Sequence, residues 1–156
     1  MINVNWSRWI KISVLKVFQT MATANGIHMF IEGQDRETQE HVEYFEVRID
    51  GPHIKEISHD YFKLGVEVNI LFSIHMSKLT MYAPEILAGL LEQRMTDICI
   101  YRYGDGVDDD STFLGVLQLI ADKNNTVRTN QFGKIRSDTD LVQGTVEGTF
   151  KMHLKT

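Results

Sequence analysis

Apolar residues recur with two different periods along this chain, and each period marks a type of element. Near the start, Trp6, Trp9, Ile10, Ser13, Val14, Val17, Phe18 and Met21 fall at i, i+3, i+4 and i+7 spacing. Arg8, Lys11, Lys16, Gln19 and Thr20 occupy the opposite side, which predicts an amphipathic helix over about residues 5–23. Asn25-Gly26 supplies the left-handed residue that commonly stops a helix. Ile12 and Leu15 broaden the apolar surface beyond what one sheet face needs, so the helix is either deeply buried or touches a second subunit. A second helix is predicted over about residues 84–95. Pro84 is tolerated in its first turn, and Ile86, Leu87, Leu90, Leu91 and Met95 form its apolar side.

Period-two stretches predict the strands. Ile27 to Ile31 is a short apolar candidate, and Phe45, Val47 and Ile49 alternate with Glu46 and Arg48 up to a stop at Asp50-Gly51-Pro52. A short segment through Ile54 and Ile57 leads to a turn at Ser58-His59-Asp60. Val66, Val68, Ile70, Phe72 and Ile74 then make a longer alternation, in which Leu71 implies partial cover on the second face. Ile98 to Tyr103 and Phe113 to Ile120 flank an acidic, glycine-containing segment, 104–110. Residues 34–40 read as a polar loop and 121–140 as a less ordered stretch.

The C-terminal pattern is the clearest. Val142, Gly144, Val146, Gly148, Phe150, Met152 and Leu154 take every even position, with polar residues between them. A strand of that length spans roughly 43 Å at about 3.3 Å per residue. A compact chain of this size is roughly 38 Å across. Segment 141–156 therefore either crosses the whole domain, with Gly144 and Gly148 as bends, or leaves it as an arm toward a neighbour. With no repeat or linker, residues 1–156 read as a single α+β domain. Its expected architecture is a mixed, mainly antiparallel sheet with two helices packed on it and a long C-terminal strand.

Composition narrows the chemistry. The 156 residues carry a net charge of −5, which argues against a broad nucleic-acid surface while leaving room for a local basic patch. One cysteine, Cys99, excludes an internal disulfide and a cysteine-rich zinc site, and its strand position predicts a buried, inert thiol. Residues 104–110 fail the EF-hand spacing, because Val107 and Asp110 stand where an oxygen ligand and the glycine belong. The six histidines form no HExxH pair, and His59-Asp60 is a weak acid/base candidate in a turn. Gly104-Asp105-Gly106 lacks the rest of a dinucleotide fingerprint, and no nucleophile elbow is present. Trp6 and Trp9 lie near Arg8 and Lys11, but both rings share the apolar face, which favours packing over nucleic-acid stacking. The expectation is a non-enzyme with no cofactor and no bound metal. The start of the chain has no signal-peptide pattern and no apolar run reaches membrane length, so synthesis in the cytoplasm and no membrane partner are expected.

Four stretches together resemble neck and tail proteins of tailed bacteriophages. They are Phe45-Glu46-Val47-Arg48-Ile49-Asp50-Gly51-Pro52, Val66-Glu67-Val68-Asn69-Ile70-Leu71, Tyr101-Arg102-Tyr103-Gly104-Asp105-Gly106 and Gly144-Thr145-Val146-Glu147-Gly148. A leading amphipathic helix before long strands is similar to the tail terminators, which form rings, often of six subunits, between tail tube and head connector. The resemblance implies a structural virion protein made in the host cytoplasm, with tail-tube and head-connector proteins as partners. It implies no catalytic residue. Tail-tube or head-completion proteins are the nearest alternatives, and a small ligand-binding module or enzyme is the alternative of another class. In a ring, Trp6, Trp9, Val146, Phe150 and Met152 are the expected interface residues. Asp105, Asp108, Asp109 and Asp110 are the expected channel-facing loop. Six copies at −5 each would repel DNA passing through without specific binding.

Overall fold

The computed structural model describes residues 3–32, 43–75, 83–104, 110–121, 127–134 and 141–155. Helix α1 (Trp6–Asn25) buries Trp9, Ile10, Ser13, Val14, Phe18, Met21 and Ala22, the expected face. Gly26 ends it at φ 65°. The Gly26 N–H donates to the Thr23 carbonyl and the Ile27 N–H to that of Ala22, the paired closure of a Schellman motif. Helix α2 (Ala83–Arg94) buries Pro84, Leu87, Ala88 and Leu91. Ile86, expected on that side, is 63% exposed, because it lies about 100° around the helix from Leu87 and away from the stripe.

The strands are β1 (His28–Ile31), β2 (Tyr44–Ser58), β3 (Tyr61–His75), β4 (Ile98–Tyr103), β5 (Asp110–Leu119), β6 (Arg128–Lys134) and β7 (Leu141–Lys155). They form one seven-stranded sheet in the order β1-β2-β3-β7-β5-β4, with β6 also paired to β7. Among the described strand pairs, β1–β2 alone is parallel. This is the expected α+β architecture. The long C-terminal strand is an interior strand: β3 pairs it from Tyr61↔Lys155 to His75↔Leu141 without a register shift. On its other side it meets β6 over Val142–Glu147 and β5 at Phe150 and Lys151.

Three strand limits differ from the pattern reading. β2 does not stop at Asp50-Gly51-Pro52 but bulges there and continues to Ser58. Gly51 makes this passable: its φ is 113°, and a Cβ at that position would lie 2.7 Å from the Gly65 carbonyl oxygen. β3 begins at Tyr61, five residues before its apolar alternation, because the hairpin turn at His59-Asp60 starts the pairing at once. β6 arises within the stretch read as less ordered. Its polar residues are drawn into a strand by the unfilled edge of β7.

Even-numbered residues of β3 and β7 face the helices. Leu64, Val66, Val68, Ile70 and Phe72 meet Val146, Phe150, Met152 and Leu154 there, together with Phe45 and Val47 of β2 and the buried faces of α1 and α2. Gly144 pairs with Phe72 and leaves room for its ring, which lies over the missing side chain. The loop expected at 34–40 lies outside the described residues.

Candidate functional site

Four of the five residues expected at a subunit interface are used inside the chain itself. Trp9, Val146, Phe150 and Met152 are all buried in the core; Trp6 is half-buried and meets Trp9 edge-on, with ring centroids 5.6 Å apart. The broad apolar surface of α1 is thus filled by its own sheet and by α2. Trp9 also anchors polar groups. Its Nε1–H donates to the Tyr103 carbonyl at 3.0 Å, and Arg8 Nη2 donates to the Tyr103 and Gly104 carbonyls at 2.8 and 2.6 Å. Lys16 lies over the Tyr103 ring at 4.7 Å and Arg102 over the Trp9 ring at 5.6 Å. The Tyr101 N–H, at a bulge in β4, donates to Ser13 Oγ. Helix α1 therefore fastens the end of β4, where the acidic segment begins. Asp105, Asp108 and Asp109 of that segment lie outside the described residues, and Asp110 opens β5 opposite Tyr103.

The other chemical candidates stay apart. His59 Nε2 and Asp60 Oδ2 are 3.5 Å apart in the exposed β2–β3 turn, where Asp60 has φ 65°. Cys99 is exposed, which corrects the expected buried thiol: Ile98 and Ile100 point to the core, so the residue between them points out. Among the described residues no group of three or more potential metal ligands converges, and no described helix is long and apolar enough to cross a membrane.

The odd-numbered face of the sheet carries more organised polar chemistry than any of these. Over its inner half it is partly covered, as Leu71 implied. Glu46 is 3% exposed and accepts from Arg48 Nε at 3.0 Å; Ser73 and Tyr44 are also buried. Asn69 Nδ2 donates to Glu147 Oε1 at 3.1 Å, and Arg128 stands opposite Glu147. Over the far half the register sets Lys55 opposite Lys63 and Lys63 opposite His153. It also sets His53 opposite Gly65, Gly65 opposite Lys151, and Tyr61 opposite Lys155. Cross-strand partners share a face, so these lysines and histidines come together although 86 to 94 residues separate the partners on β3 and β7. Within each strand the odd spacing is legible in the sequence; the register between strands is not.

No protein-family model matches this chain, and no curated protein matches it.

Proposed function

We propose that this protein is a non-catalytic structural subunit that assembles head to tail into a ring, of the tail-terminator kind in a tailed bacteriophage. The observation that carries the reading is the open-ended sheet. Past Val47, β2 has no strand partner on its outer side among the described residues, and Ile54 and Ile57 are about half exposed along it. β6, beyond β7 on the other side, likewise pairs on one side only among the described residues and exposes Phe132. An unpaired edge offers backbone N–H and C=O groups to another chain, and exposed apolar side chains beside it favour being covered.

Two different edges on one chain suit a heterologous contact, in which each copy joins the next by a different surface and the series closes as a ring. With four of the five expected interface side chains buried in the core, these edges take their place in the assembly. Net charge −5 per copy gives a long-range field that repels phosphate, which supports passage of DNA without specific binding. The resemblance noted in four stretches supplies the phage setting and the neighbours, tail tube and head connector.

Solution mass measured across a dilution series, with electron microscopy of the same samples, tests the assembly. Closed rings of uniform copy number are expected. A monomer at every concentration that also melts higher in the presence of a small molecule would overturn the reading in favour of a ligand-binding module. Density for the chain in assembled particles then distinguishes a terminator layer from a tube or head-completion layer.

A further inference from the structure

We infer that the far half of the odd-numbered sheet face binds the phosphate backbone of nucleic acid without regard to base sequence. The inference does not rest on ring assembly. It rests on the juxtaposition of Lys55, Lys63, Lys151 and Lys155 with His53 and His153 across three adjacent strands.

These groups form a lattice with sheet spacing. Neighbours across strands stand about 4.8 Å apart and neighbours along a strand about 6.8 Å apart. Placing Lys55 directly opposite Lys63 is unfavourable in an isolated sheet, because like charges repel across strands. A polyanion lying over them would reverse that cost. Gly65, at the centre between His53 and Lys151, has no side chain, so a backbone group can approach the sheet there. Tyr61 and His153 stack flat at 5.7 Å with an interplanar angle of 6°, giving the patch a planar rim.

Acids mark the limits of the patch without filling it. Asp50 and Glu67 face each other one row inward, and Asp50 lies 3.5 Å from His53. Glu56 stands opposite Phe62 and so points to the other face, and Asp60 lies in the turn beside His59. A second copy of this chain fits the lattice less well. On the described sheet face, its acids Glu46, Glu147 and Asp50 already meet Arg48, Asn69 and His53, which leaves the exposed Glu67 as the one acid to set against four lysines. A phosphate backbone instead presents closely and regularly spaced charges. Those charges release counterions when lysines neutralise them.

The test is a titration of the full-length protein with a labelled mixed-sequence DNA duplex at several salt concentrations. Binding with a dissociation constant on the order of 10⁻⁶–10⁻⁴ M is expected, equal for unrelated sequences. Four phosphate contacts predict a log–log salt slope of about −3 to −4, so affinity falls about 100-fold between about 50 and 200 mM salt. The pair Lys63→Gln and Lys151→Gln should lower the slope magnitude by about 2, whereas Lys63→Arg with Lys151→Arg should leave it unchanged. Matching thermal melts show that each variant folds. Absence of binding at low salt, or an unchanged slope in the glutamine variant, overturns the inference. So does a glutamine variant whose only change is a lower solution mass, which would assign the patch to contact between copies.

Discussion

At Gly144 the absence of a side chain decides the packing around it. A Cβ there would fall 2.6 Å from the Asn130 carbonyl oxygen and closer still to the Phe72 ring, which fills the space. Gly144→Val is therefore expected to destabilise the fold by about 1–3 kcal/mol through overpacking, read as a lower urea midpoint with an unchanged slope. Trp9 shows the opposite case, a large side chain whose one polar atom is satisfied by the Tyr103 carbonyl. Trp9→Phe keeps an aromatic side chain but removes the donor and part of the buried indole volume. It should cost about 1–3 kcal/mol in the same measurement, mostly from the space left in the core, since Arg8 continues to donate to that carbonyl. Both tryptophans were legible as apolar and helical. What Trp9 touches was not, because Tyr103 is 94 residues away and only folding brings it near.

Among the elements, β2 and β7 divide the work of the sheet. β7 is paired on both sides and covered by α2, so removing it would take out the centre of the fold rather than trim an arm. Among the described residues, β2 is paired on both sides only up to Val47, and its far half carries exposed Ile54 and Ile57. Charged residues on an edge oppose strand addition without disturbing a core. The double variant Ile54→Lys, Ile57→Lys is therefore expected to stop assembly while its melting temperature, taken on dilute monomer, stays within a few degrees of the parent. Mass and melting measured on the same sample check it: an assembled double variant would remove β2 from the interface. The alternation in β7 was plain from its residues because one face is buried along its whole length. β6 was hidden because its polar residues have little strand preference of their own, and the edge of β7 orders them.

For the whole molecule, the acidic total and the basic patch are properties of different scales. A net charge of −5 describes the field at a distance, whereas the lysine and histidine lattice describes one face within about a Debye length. A ring built through the β2 and β6 edges would carry one such patch per copy, repeated by its symmetry. DNA binding and ring formation are separable: the lysine variants should assemble and the Ile54, Ile57 variant should bind DNA as a monomer.

The linear order of residues determined the α+β class, both helices, the Gly26 stop and the two-sided pattern of β7, because each depends on neighbours within a few positions and on one buried face. Tertiary structure alone decided that Trp9, Val146, Phe150 and Met152 lie in the core. It also decided that β2 passes through Gly51-Pro52, and that lysines from three strands share a surface. Burial and register depend on which distant segments pair, and pairing is settled by the collective packing of the sheet, which no local pattern records.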